Sequence, residues 1–186
     1  MGNLFANQDI DAFFQTAINR DFARQNLFRV LYINSGATNI VFDQNDLVYV
    51  TSTSLPQRAI TNISVPFMGL KFNVPGTATY PGSEAWNVTF RMPQDLGIRQ
   101  KLELWTRGTF DDATSTGAYE VKDLGGVGLA LMGKGGQVLR VYNLVGAYCT
   151  NIGQYTLNST TAGEIVELQA TIAYQFWIQP EASPIG

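Results

Sequence analysis

The sequence predicts a mainly β chain of the α+β type, an antiparallel barrel or sandwich of about eight strands with one flanking helix and a short N-terminal helix. Three observations carry that expectation. Apolar and polar residues alternate along much of the chain, most cleanly where Trp86, Val88, Phe90 and Met92 alternate with Asn87, Thr89 and Arg91. Only two stretches switch to helical spacing. Those two do not alternate regularly with the strands, which argues against a parallel sheet built from βαβ units.

The elements follow in order. Residues 9–23 read as a helix, because Ile10, Phe13, Phe14, Ala17 and Ile18 form one stripe, and Asp9 or Asp11 is placed to cap it. Strands are expected at 27–34 and at 47–54, the second ended by Leu55-Pro56. Ile63, Val65 and Phe67 form one face of a strand. Leu70, Phe72 and Val74 form one face of the next, which is expected to stop at Pro75-Gly76. After the strand at 86–92 comes the flanking helix, 95–107, with Ile98, Leu102 and Trp105 on one face and Gly108 placed to terminate it. Residues 109–126 read as a long polar loop. A hairpin is expected at 127–132 and 138–145 around Gly133-Lys134-Gly135-Gly136. In the last strand Leu168, Ala170, Ile172, Tyr174 and Phe176 share a face. No repeat or linker divides the chain, so one domain is expected over 1–186, with 1–20 as an extension and 178–186 as a loose tail.

Composition narrows the function. Charged residues make up 15% of the chain, against ~25% in an ordinary domain. Little polar surface is then available to face water, which points to a chain that buries surface against copies of itself. Net charge is −3, unsuited to gripping phosphates. No apolar run approaches the ~20 residues of a membrane span, and no secretory signal is visible at the N-terminus. The Asn-x-Ser/Thr matches at Asn62, Asn87 and Asn158 therefore read as chance.

Catalytic chemistry finds little support. Histidine is absent, which removes His-dependent triads, His metal sites and His bases together. The one cysteine, Cys149, reads as a buried hydrophobe. Gly128 to Gly135 matches part of a phosphate-binding loop but lacks the Ser or Thr that holds magnesium, and it reads as a hairpin turn. Asp43, Asn45 and Asp46 begin a calcium-loop pattern, but Ser54 stands where its closing glutamate belongs, so a solvated turn is expected. The acid pairs Asp111-Asp112 and Glu164 with Glu167 lie in polar stretches where nothing splits their acidities. No metal and no cofactor is expected.

Two segments carry a resemblance. Asp21-Phe22-Ala23-Arg24-Gln25-Asn26-Leu27-Phe28 resembles the opening of the tail tube proteins of contractile-tailed, myovirus-type bacteriophages, where a short helix leads into the first strand. The matching positions are Asp21, Phe22, Arg24 and Asn26. Leu144 to Gly153 resembles a later segment of that family, with Thr150, Asn151 and Gly153 in its turn. Ser54-Leu55-Pro56, Val65 to Gly69, Trp86 to Phe90 and Arg99-Gln100-Lys101 follow in the family's order. The resemblance runs from about Asp21 to Trp177. Residues 34–46 look longer than the family's first connection, and the two ends look like extensions.

The resemblance implies a structural, non-enzymatic virion protein. Its homo-hexameric rings would stack into a tube that meets sheath, baseplate and tail terminator proteins. DNA would pass through without specific binding, and nothing would insert stably into a membrane. Two alternatives stay open: a tube subunit of a contractile secretion or bacteriocin-like system, and a carbohydrate-binding β-sandwich of a virion. Parity nominates a channel lining that is not net basic, namely Asn87, Thr89 and Arg91 with Glu167, Gln169, Thr171 and Gln175. Loops 34–46 and 109–126 are expected to touch neighbouring subunits.

Overall fold

The structure is a computed structural model, and it describes residues 10–19, 22–117, 120–158, 160 and 163–180. Asp9, Arg20, Asp21 and the tail beyond Pro180 lie outside the described residues, as does the side chain of Asp11.

The described chain runs α1 (Ile10–Asn19), β1 (Phe28–Asn34), α2 (Gln44–Leu47), β2 (Val50–Thr53), β3 (Ala59–Phe67), β4 (Leu70–Thr79), β5 (Trp86–Arg91), α3 (Gly97–Thr109), β6 (Phe110–Asp111), β7 (Thr116–Gly117), β8 (Gly125–Met132), β9 (Val138–Ile152), β10 (Glu167–Ala173) and β11 (Phe176–Ile178). Two single 3-10 turns lie at 36–38 and 121–123. The protein is mainly β, as expected, with eleven strands among the described residues where about eight were counted from the sequence.

Seven strands form one antiparallel sheet in the order β1-β8-β9-β10-β5-β2, and β11 also pairs with β9. β9 is long enough to serve both halves of that sheet. Its first part pairs with β8 and β11 and its last part with β10. Gly146, in the left-handed region at φ +67°, lets the strand turn between the two. The inward faces supply the core: Val30 and Ile33, Val88 and Phe90, Val127 and Leu129, Leu144, and Leu168, Ala170 and Ile172. Helix α3 packs on β9 and seals the core with Ile98, Leu102 and Trp105. Burying these side chains contributes roughly 1.5–3 kcal/mol each for the larger ones.

Several expectations needed correction. β4 does not stop at Pro75-Gly76 but runs on to Thr79. It pairs only with β3, so Pro75 faces a free edge where no amide is required. Gly108 does not end α3, which closes at Thr109. Instead Gly108 lies against Thr38, whose methyl group occupies the space a side chain would need. Asp95 lies before the helix, accepting a hydrogen bond from the Gly97 amide at 3.1 Å. The strand expected at 47–54 is shorter, because residues 44–47 complete a helical turn first. Phe176 leaves the face of Leu168 and Ile172, because the chain bends at Gln175 and β11 joins the other half of the sheet.

The two long loops are also more structured than expected. Segment 34–46 is a folded lid over the core. Phe42 is buried against Phe90 and Trp105, with ring centroids 6.4 Å apart in each pair. The buried Ser35 hydroxyl bonds Thr38 and accepts from the Ile40 amide. The supposed solvated turn at Asp43 and Asp46 is a reciprocal cap on α2. Lys101 reaches it from α3, with Nζ 2.6 Å from Asp46 and 3.3 Å from Asp43. The hydrogen bond to Asp46 holds the ammonium above its ordinary pKa. Segment 109–126 contains the small β6–β7 hairpin, a 3-10 turn and the start of β8.

Candidate functional site

The outward face of β5 and β10 brings together six of the seven nominated channel residues. Glu167 lies opposite Arg91, Gln169 opposite Thr89 and Thr171 opposite Asn87. Cross-strand partners in register sit about 4.5–5.5 Å apart at Cβ, and here they interact. Arg91 Nε lies 3.6 Å from Glu167 Oε1, with both side chains more than half exposed. The Thr171 hydroxyl donates to Asn87 Oδ1 at 2.9 Å. The lone cation on this strip therefore has a carboxylate beside it, and such an exposed pair adds at most about 1 kcal/mol of stability.

Gln175 is not part of the strip. It lies past the end of β10, where its amide donates to the Val145 carbonyl and its side chain covers Gly146. Two residues that parity missed do join: Ser52 of β2 lies opposite Thr89, and Asn151 of β9 lies opposite Thr171. Their pairing depends on register across strands far apart in sequence.

The motif residues divide in two. Thr150 donates to the Thr171 carbonyl at 3.1 Å. The Gly153 amide donates to the Gln169 carbonyl at 2.7 Å, and a Cβ on Gly153 would lie 2.7 Å from that same oxygen. The Thr150-Asn151-Ile152-Gly153 segment thus presses its backbone onto the strip strand, which explains the glycine. Phe22, Arg24 and Asn26 lie in the exposed lead into β1, and the Phe22 ring is 6.0 Å from that of Phe13. Arg24 and Asn26 help line a groove of about 710 Å3 whose apolar side chains are Phe28, Leu55, Leu129 and Leu131.

A second surface stands off the main sheet. β3 and β4 form their own two-stranded ribbon. Ile63 pairs with Val74, Val65 with Phe72, and Phe67 with Leu70, so all six lie on one face, and each is 41–61% exposed. An isolated ribbon is marginal in water, and an uncovered apolar strip on it marks an interface.

The chemistry-like motifs resolve into structure. The Gly133 amide donates to Gln137 and the Gly136 amide to Gly133, which makes 133–137 a tight hairpin turn. Among the described residues no three His, Cys, Asp or Glu side chains gather at metal-binding distance. Burial pushes the Cys149 thiol up to about 11, so it stays protonated and unreactive at neutral pH. Asp111, held below its ordinary pKa chiefly by the Ala113 amide and then by Thr114, shapes an exposed turn. No described helix is long and apolar enough to cross a membrane.

No protein-family model matches the chain. Among characterised proteins, it is 28% identical over 160 residues to the tail tube protein gp19 of Enterobacteria phage T4, covering 84% of this chain and 91% of that one. The fold matches a chain of the anti-feeding prophage baseplate, with a TM-score of 0.60 at 10% identity over 87% of this chain and 97% of the other. It also matches a chain of the extended PVC sheath–tube complex, an extracellular contractile injection system, with a TM-score of 0.54 at 14% identity over 89% and 96%. Identities that low establish a shared fold only, whereas the sequence similarity to the tail tube protein runs along most of both proteins. The chain is thus similar in sequence, along most of its length, to a phage tail tube protein, and it shares the fold of chains from contractile injection systems.

Proposed function

We propose that this protein is the structural subunit of a virion tail tube, forming rings of six that stack around a channel for DNA and meet sheath, baseplate and terminator proteins. The observation that carries this reading is the β3–β4 ribbon, whose six-residue apolar strip has no cover within the described subunit. A repeating contact between copies supplies that cover, and a heterologous one closes into a ring or extends as a tube. No catalytic role is assigned. Electron microscopy of intact tails, or of concentrated protein, tests the reading: stacked rings of this chain are expected, and its absence from the tube overturns it.

A tube subunit of a contractile injection system is the second reading, supported by the fold likeness, and the neighbouring genes separate the two. A carbohydrate-binding module is less well supported, because Tyr80 and Tyr142 each pack edge-on against Trp177 instead of forming an open platform.

Within this reading the β5–β10 strip lines the channel. It is polar and carries one cation against one anion, which suits a conduit that must not hold what passes. Gln169→Lys with Thr171→Lys is expected to leave tubes intact and reduce genome delivery by about tenfold, more at low salt, because weak phosphate contacts multiply with every copy. Delivery is read by DNA release from purified virions across salt concentrations. Unchanged release at low salt contradicts the placement.

A further inference from the structure

We propose that Trp177 is a positioning residue for the β3–β4 ribbon: its indole holds both segments that join the ribbon to the main sheet, and so fixes the angle at which the ribbon stands. The proposal concerns the free subunit and reaches assembly only through the tube reading.

Nothing in the strand pairing aims the ribbon. β3 and β4 pair only with each other. The incoming segment, residues 54–58, lies in no helix or strand, and the outgoing segment, residues 80–85, folds into turns before β5. A ribbon hung on two such segments swings unless contacts outside the ladder restrain it.

Trp177 meets both segments. Its Nε1 donates to the Gln57 carbonyl at 3.0 Å, on the incoming side. Its ring meets that of Tyr80 edge-on, with centroids 6.4 Å apart, on the outgoing side. The Ala59–Thr79 pair closes the base of the ribbon, and Gln57 and Tyr80 flank that pair on the side of the main sheet. The indole is itself anchored. Trp177 pairs with Leu144 of β9 in the ladder, and Tyr142 of β9 packs against its ring at 5.3 Å. One rigid side chain thus ties the main sheet to both roots of the ribbon.

Other bonds hold the same segments closer to the sheet. Trp86 Nε1 donates to the Ser54 carbonyl at 2.7 Å, and the Tyr174 amide donates to the Ser83 carbonyl at 2.8 Å. Each of these touches one segment only. Space filling does not account for Trp177 either. Trp105 and Trp86 are sunk in the core, whereas Trp177 is half-buried at the junction and uses its one polar atom on the incoming segment. A phenyl ring would fill that space without the bond.

The test measures the distance between spin labels on Met68→Cys, at the exposed ribbon tip, and Gln169→Cys, on β10, by pulsed electron resonance in dilute full-length subunit. The native Cys149 is buried and does not compete. One narrow distance distribution is expected for the labelled parent. Trp177→Phe keeps a ring and removes the donor, and is expected to widen the distribution about twofold with the urea midpoint little changed. Tyr80→Ala, which leaves Trp177 in place and removes the other grip, is expected to widen it as well. Leu102→Ala, a buried position in α3, is the control: it lowers the urea midpoint and leaves the width as in the parent. A broad distribution in the parent, an unchanged one in both Trp177→Phe and Tyr80→Ala, or equal widening in Leu102→Ala overturns the proposal. Under the tube reading, Trp177→Phe also raises the concentration needed for tube growth, by about fivefold, because a swinging ribbon must be ordered on contact. A parent chain that never forms rings or tubes overturns the tube reading alone, since the distances are measured without assembly.

Discussion

Gly125→Val is expected to yield no folded subunit, seen as loss of soluble protein and of the β signal in circular dichroism. A Cβ on Gly125 would overlap the carbonyl oxygen of Asn34, at the point where β8 begins to pair with the end of β1. The obstacle is backbone, so no rotamer change relieves it. Gly36, two residues beyond Asn34, has φ of +68° and no room for a Cβ beside the Asp123 carbonyl. The two chain segments thus meet through glycine on both sides. Forcing them apart breaks the pairing of Asn34 with Gly126 and Ile33 with Val127. Overpacking alone costs about 1–3 kcal/mol, and the lost ladder adds to it, against a typical total stability of about 5–15 kcal/mol. Gly82→Ala supplies the contrast. Gly82 also has positive φ, but nothing lies within 4 Å of its Cβ position, so a loss of only about 1 kcal/mol is expected. If the Gly125 variant denatures in urea like the parent, the close approach is not a constraint.

Trp105→Ala is the second large effect, with an expected loss of about 3–5 kcal/mol in urea denaturation. Trp105 is 1% exposed on the inner face of α3. Its ring meets Phe42 of the 34–46 segment, and Phe42 stacks on Phe90 of β5. Helix, lid and sheet are joined by these three rings, and Lys101 lies 5.9 Å over the Phe42 ring. Truncating Trp105, at the helix end of this chain of rings, leaves a void beside Phe42 that the packed core cannot readily fill. A loss below about 1.5 kcal/mol would mean the lid collapses into the space.

Features set by neighbours in sequence were legible in the chain. The alternation in Trp86 to Arg91 needs no tertiary context, and neither does the stripe of Ile98, Leu102 and Trp105. The nominated strip shares this legibility, since parity alone separates Asn87, Thr89 and Arg91 from the core. What parity could not supply is register. Ser52 and Asn151 join the strip only because β2 and β9 arrive beside it, and Gln175 leaves because one bend at the end of β10 redirects the chain. Phe42 is a lone aromatic in a polar segment with no period to betray its burial. Pro75 misled for a related reason, since a proline that would stop an inner strand is harmless on a free edge. The groove was illegible because its walls come from the two ends of the sheet, more than seventy residues apart along the chain between Leu55 and Leu129.

The exposed ribbon also bears on when assembly begins. A ribbon of two strands without a third is only marginally stable by itself, so a neighbour that receives it would also restrict its remaining conformational freedom. In the proposed heterologous assembly the first two subunits to meet would be held by a single contact that receives one ribbon. A subunit joining a preformed ring would make more than one such contact at once. Under the tube reading, spontaneous nucleation is therefore expected to be slow relative to growth, with subunits waiting singly until a template appears. Under that reading, tube length would follow from where growth is started and stopped, not from how much subunit the cell has made.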